Sequence, residues 1–232
     1  MNPLSRLLLF FSLAFMLLIV LPAFLGQPLF VYPLMKRGDA LDLLTPLVLL
    51  PLYYLLYARA DPRALSARQI LLFLVVGALW VEGQGIHLAA NSVGHHLSDP
   101  RSDPAILAYM YDEVLSHYMW QSAVIALSVL ILARQWRGPG FHEKAQWPWL
   151  IVSASIYGFT FFLLAVEGRT APISVPSATL IAMFVLLKGR KQMSARPLVT
   201  FFGVGYGVSL LFLGGWALYW RGLPEFSAVG II

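Results

Sequence analysis

His87, His95, Asp112, Glu113 and His117 fall inside or at the ends of two apolar runs, residues 70–95 and 106–133. An imidazole and a carboxylate one helical turn apart can grip one cation between them, or hand a proton from one to the other. An ionisable group near a bilayer centre costs roughly 2.5–3.5 kcal/mol on insertion scales, so such groups face a protein interior and have partners there. At about 100° per residue, His87, Asn91 and His95 share a helix face with Gln84, and His96 points nearly opposite His87. On the second run, Glu113 and His117 form one i, i+4 pair and Asp112 and Ser116 another. Imidazole mixed with carboxylate suits zinc and other first-row divalent metals, and the chain has no cysteine, which excludes disulfides, thiolate catalysis and cysteine-ligated metals. The expected ligands are His87, His95, Glu113 and His117, with Glu167 next in line. Gln84, Asn91 and Ser116 are expected to orient the imidazoles by hydrogen bonds. A divalent transition metal, zinc foremost, is the expected cofactor. The same residues are compatible with a metal-free proton relay, with axial ligation of a haem, or with a polar cluster that only locks helix packing.

These groups need elements to hold them. The chain has 232 residues, of which 59% are hydrophobic and 12% charged, against about 25% charged in an average soluble domain. Seven apolar runs, 7–25, 41–58, 70–95, 106–133, 147–166, 172–187 and 198–220, are read as membrane-spanning helices. The expected fold is an all-α, polytopic integral membrane bundle, one transmembrane domain over residues 1–232. The first run is longer than the 7–15 apolar residues of a signal peptide, so it is read as a retained helix. The sixth carries Pro172 and Pro176 and is expected to be tilted, kinked or partly re-entrant.

Charge gives the orientation. With the N-terminus inside, the inner segments hold eleven Lys and Arg and the outer segments five. The positive-inside rule then places the N-terminus in and the C-terminus out. The net charge of +5 is a topology signal with some attraction to lipid headgroups, and no nucleic-acid partner is needed. His87, His95, Asp112, Glu113, His117 and the Glu167-Gly-Arg-Thr170 segment come to one level near the extracytoplasmic face.

Several other features read as structural. Glu82, beside Gly83 and Gly85, joins the site only if the glycines distort the helix. The recurrence of Val-Glu-Gly at 81–83 and 166–168 is short enough to be coincidence. Gly203 and Gly207 suggest close helix packing. Tyr53, Tyr54, Tyr57, Trp147, Trp149, Trp216 and Trp220 are expected at the membrane interfaces. His142-Glu143 and the basic loop 188–196 are expected in solvent at the inner face. Asp99-Pro and Asp103-Pro are turn signals.

The stretch Ser92-Val-Gly-His-His96, with Asp112 near the start of the next run, resembles part of the CREST superfamily of seven-helix membrane proteins. That superfamily includes alkaline ceramidases and progestin and adiponectin receptor-like proteins. The resemblance implies a zinc-dependent amide hydrolase acting on lipids, with Ser92, His96 and Asp112 at its centre. The last run, 198–220, has no histidine, so the family's His-x-x-x-His pair has no counterpart here.

The combined expectation is a metal-dependent hydrolase of the bacterial inner membrane. Its substrate is an amphipathic, lipid-like molecule entering from the outer leaflet, and its general base is Asp112, Glu113 or Glu167, with Ser92 implied by the resemblance. The alternatives are a transporter or proton relay, and a non-catalytic scaffold. The inward apolar stretches Leu71–Val76 and Ala123–Leu132 count against a continuous pathway.

Overall fold

The computed structural model describes residues 1–139, 146–189 and 193–231. Among these residues it is all-helical, with seven helical segments long and apolar enough to cross a membrane. The first is α1 (Pro3–Val20), extended by a 3₁₀ turn (Leu21–Phe24); its N-terminus is capped by Asn2, whose side chain accepts the Ser5 amide at 2.9 Å. A short α2 (Arg37–Asp42) leads into α3 (Leu44–Arg59). Next, α4 (Ala67–Gly94) starts from a capping box in which Ser66 and Gln69 satisfy each other's backbone N–H groups. The fourth span is composite: α5 (Asp103–Tyr109), a π-helical stretch (Met110–Ser116) and α6 (His117–Arg137). The remaining spans are α7 (Trp147–Glu167), α8 (Ala171–Phe184) with a π-helical end (Val185–Gly189), and α9 (Pro197–Trp220).

The expected spans are all present, with ends shifted by a few residues. The sixth is a continuous helical segment, α8 with its π-helical end. Pro172 lies in its first turn, where no intrahelical N–H is needed, and Pro176 lies inside it.

Small residues let the helices approach. A Cβ on Gly158 would overlap the Gly205 carbonyl, so α7 and α9 touch backbone to backbone there. Gly203 faces Val185, whose side chain a Cβ would meet at 2.5 Å. Gly207, expected to serve the same packing, has open space in front of it, and Gly205 takes that role instead.

The core centres on rings. Phe11 and Phe15 of α1 pack on Tyr157, which also meets Phe201, Phe202 and Tyr206. Within this apolar mass the Tyr157 hydroxyl contacts Ser128 Oγ at 3.0 Å, Tyr206 at 3.4 Å and Tyr53 at 3.5 Å. Tyr53 and Tyr57 are therefore core residues, not interface residues. The Tyr53 hydroxyl meets Tyr157, and the Tyr57 ring lies 5.6 Å from the Arg134 guanidinium. Tyr54, Trp147, Trp149 and Trp220 are exposed on the outside of the bundle. His142-Glu143 and the Arg190-Lys191 part of the basic loop lie outside the described residues.

Candidate functional site

Gly83 sets the distance between α4 and the fourth span. A Cβ there would lie 3.0 Å from both the Met119 Cβ and the Ser116 carbonyl oxygen, so α4 lies directly against the start of α6. One turn further along α4, that approach places His87 Nδ1 at 2.7 Å from Asp112 Oδ1. The spacing is that of a hydrogen bond, but the N–H is not aligned with the oxygen, so the contact is an electrostatic one as it stands.

The π-helical stretch decides which residues of the fourth span join this pair. Bonding of i to i+5 makes residues five apart neighbours on the helix surface. Asp112 and His117 are five apart, and both turn towards α4. The His87 and His117 rings lie 5.2 Å apart between centroids, and Trp120 stacks on His87 at 6.1 Å with a 14° tilt. Glu113 Oε2 is 3.8 Å from His117 Nδ1, which has no hydrogen-bond partner. Gly168, in the turn after α7, lies against the other side of the His117 ring: a Cβ there would be 3.4 Å from Nδ1. The two Val-Glu-Gly segments thus deliver Gly83 and Gly168 to the same stretch of α6. Their glutamates differ: Glu82 is exposed on α4, and Glu167 lines a cavity. α4 runs unbroken past Gly83 and Gly85, so Glu82 does not join the site.

That cavity has a volume of about 950 Å³, at the upper end of the range for small-molecule sites. Asp39, Asp42, His87, Asp112, Glu113 and His117 supply polar wall. Phe159, Phe162, Leu211, Phe212, Trp216 and Tyr219 supply apolar wall from α7 and α9. The segment after α9 covers part of it. Arg221 turns the chain back with a left-handed backbone (φ 54°), and Trp216 Nε1 donates to the Pro224 carbonyl at 2.9 Å. The Phe226 ring then packs between Phe162 and Trp216.

Glu167, expected as a general base, accepts the backbone N–H groups of Phe226 (2.8 Å) and Ser227 (3.4 Å). Its carboxylate anchors the C-terminal segment. Arg169 pairs with Glu225 and Tyr109 and so ties down the same segment. The Glu225 carboxylate raises the Arg169 pKa above its ordinary value.

The expected ligands divide. His87, Glu113 and His117 line the large cavity, whereas His95 leaves it: Lys36 Nζ donates to its Nε2 and its Nδ1 bonds the Asn91 carbonyl at 2.7 Å. His95 lines a smaller cavity of about 500 Å³, shared with Asp112 and Glu113. Among the described residues, no group of three or more His, Asp or Glu side chains is arranged to hold a metal ion. The donor set read from the sequence is therefore not assembled as a metal centre.

The orienting residues also differ from expectation. Gln84 is buried, yet both atoms of its amide lack a partner, and Asn91 donates to Asp39 at 3.5 Å. Ser116 donates to the Asp112 backbone carbonyl. Of the residues that carry the CREST resemblance, Ser92 and His96 line neither cavity, and His96 Nε2 meets the Leu34 carbonyl at 3.2 Å.

Sequence reasoning missed Asp39, Asp42, Trp120 and the C-terminal cover. Asp42 was within reach, because it too is an ionisable group inside an apolar run. The C-terminal cover carries no motif and follows only from the turn at Arg221. Searches for similar proteins find no matching family model, no significantly similar curated protein and no significantly similar solved structure.

Proposed function

We propose that this protein is an integral membrane enzyme that hydrolyses an ester or amide bond in an amphipathic, lipid-like substrate. The observation that carries this reading is the His87–Asp112 pair at 2.7 Å on the wall of a cavity that is polar on α2, α4 and α6 and aromatic on α7 and α9. A carboxylate beside one ring nitrogen keeps the proton there and leaves the other nitrogen free to accept one. His87 takes a proton from water as the oxygen attacks the substrate carbonyl, and Asp112 stabilises the imidazolium. The proton then passes to the leaving oxygen or nitrogen as the carbon–heteroatom bond breaks. The aromatic wall holds the hydrocarbon part, and the turn at Gly168 and the C-terminal segment limit access of bulk water.

The excess of Lys and Arg on the opposite loops supports a cytoplasmic N-terminus and an extracytoplasmic site in a bacterial plasma membrane. The absence of cysteine makes a direct check simple. A cysteine placed at Ser98 should react with a membrane-impermeant maleimide in intact cells, and one placed at Arg137 should not.

The enzymatic reading is tested with purified protein in phosphatidylcholine nanodiscs, assayed for release of fatty acid from long-chain esters and amides. Turnover that falls at least a hundredfold in His87→Ala and Asp112→Asn, at unchanged thermal stability, supports it. Turnover that survives both substitutions overturns it. Failure of any long-chain ester or amide to be cleaved by wild-type protein overturns it equally.

A further inference from the structure

Residues 27–37, between the first two spans, fold as a small hairpin outside the bundle core. An antiparallel bridge pairs Pro28 with Lys36. The Leu29 N–H donates to the Met35 carbonyl at 2.7 Å, and the Arg37 N–H to the Gln27 carbonyl at 3.0 Å. Two tight turns, Tyr32 N–H to the Leu29 carbonyl and Met35 N–H to the Tyr32 carbonyl, shape the tip. That tip is Phe30-Val-Tyr-Pro-Leu34, and its side chains stay outside. Phe30 is 96% and Val31 85% exposed, and Tyr32 and Leu34 are exposed as well.

Exposed apolar patches mark contact with a membrane or with another protein. Three observations favour the membrane. Residues 7–35 hold no charged side chain, so the uncharged stretch that forms the first span does not stop at the end of that span, Phe24, but runs on through the hairpin. The exposed apolar surface also continues on both sides of the tip: Leu17, Leu21 and Phe24 before it, Leu43, Leu44 and Leu47 after it.

The third observation is depth. α4 has 28 residues, and at 1.5 Å each it is about 42 Å long, the roughly 40–45 Å thickness of a bilayer with its headgroup layers. Arg63 and Arg68 flank its start at one headgroup layer, so its far end, at His95 and His96, falls in the other. The hairpin is tied to that end. His96 Nε2 donates to the Leu34 carbonyl at 3.2 Å, and Lys36 Nζ donates to His95 Nε2.

We infer that the hairpin is an interfacial anchor, lying in the headgroup layer of the leaflet on the cavity's side, with Phe30, Val31, Tyr32 and Leu34 turned into lipid. Aromatic rings and apolar side chains settle at the headgroup–acyl boundary. Lys36 and Arg37, directly behind the tip, place cations at the level of the lipid phosphates. The chain on both sides of the tip lines the large cavity, at Phe24, Gly26, Lys36 and Gly38. The anchor therefore fixes one edge of the cavity to the leaflet, whatever reaction the cavity serves.

The chain has no cysteine, so a nitroxide can be attached at one introduced cysteine at a time. Val31→Cys carries it at the tip. Leu211→Cys, exposed in the middle of α9, is the lipid reference, and Arg101→Cys, exposed in the loop after α4, is the water reference. Each protein is placed in phosphatidylcholine nanodiscs at one chain per disc. Power saturation then compares collisions with oxygen, which concentrates in lipid, and with a water-soluble nickel chelate. The oxygen-to-nickel ratio at Val31 should exceed that at Arg101 by about threefold or more, towards the value at Leu211. A smaller rise puts the tip in water and overturns the inference. Few collisions with either reagent would show the tip covered by protein, and would overturn it equally. Phe30→Cys repeats the measurement should Val31→Cys fail to fold; both side chains are exposed, so neither substitution opens the core.

Discussion

At one end of α6 the Arg134 guanidinium donates to the carbonyls of Asp61 and Arg63 and to Gln69 Oε1, and it lies over the Tyr57 ring. Nearby, Gln135 accepts the Val199 N–H at 2.8 Å, and Arg196 donates to the carbonyls of Gln135 and Trp136. At the other end, His117, Asp112 and Glu113 share a wall with a large cavity, and Asp112 Oδ1 and His117 Nδ1 are buried without hydrogen bonds. Both clusters put charged or polar groups into the bundle on the same helix. In the first, these bonds tie the turn after α3 and the starts of α4 and α9 to α6, although Arg134 Nε and Gln135 Nε2 have no partner. In the second, Asp112 Oδ1 and His117 Nδ1 also lack partners, and the residues that carry them line a cavity. Buried polar groups are stabilising when satisfied and costly when not. Missing hydrogen bonds thus occur in both clusters and do not separate them; the cavity beside the second does, and it points to binding or chemistry there.

Substitutions in the two clusters should separate these roles. His87→Ala should lower turnover by about 10²–10⁴-fold, the usual worth of a general base, with little change in thermal unfolding. A variant that unfolds instead would assign the site an architectural role. Arg134→Ala should do the reverse. Loss of hydrogen bonds from a charged donor should cost on the order of 3 kcal/mol, while turnover per folded molecule stays at the wild-type level. A fall in specific activity, measured beside the unfolding curve, would couple the two ends.

Gly83→Val tests the link between helix packing and chemistry. Overpacking of this kind costs about 1–3 kcal/mol. It should also part His87 from Asp112, so stability and turnover should fall together. Intact turnover in a destabilised Gly83→Val protein would show that the close approach is not needed for the pair.

The smallest effect is expected at Asp61, outside the spans. Hydrogen bonds from Arg63 hold its carboxyl below the usual carboxylate range. A depressed folded-state pKa gives stability that is present above the unfolded value and is lost as pH falls through the folded one. The Tm difference between wild type and Asp61→Asn should therefore be visible at neutral pH and close as pH drops below about 4. It should be modest, because the Arg63 side chain is 64% exposed and water screens the pair. A difference that grows on acidification would show that another group governs this end.

The bundle itself was legible in the amino-acid order, because a bilayer demands long apolar helices and the chain has seven runs that satisfy this demand. His87, Asp112 and His117 were legible for the same reason, as ionisable groups where solvation is poor. Their register was not. An ideal helix pairs Glu113 with His117 and Asp112 with Ser116. The π-helical stretch keeps Glu113 near His117 and Ser116 on Asp112, and in addition brings Asp112 and His117 to His87 together. His95 was misplaced because its spacing on α4 cannot reveal that Lys36, 59 residues earlier, takes its ring. Tyr53 and Tyr57 looked like interface residues because composition does not distinguish a wet phenol from one bonded inside a core.

Local order thus determined the elements, their apolar lengths and the presence of charge among them. The tertiary structure alone decided which of those charges meet, which are satisfied, and where space is left over. Apolar length and the cost of charge in lipid act residue by residue and can be read along the chain. Contact, hydrogen-bond satisfaction and cavity shape depend on how helices approach, at Gly83, Gly168 and Gly205, and on groups that lie far apart in the chain.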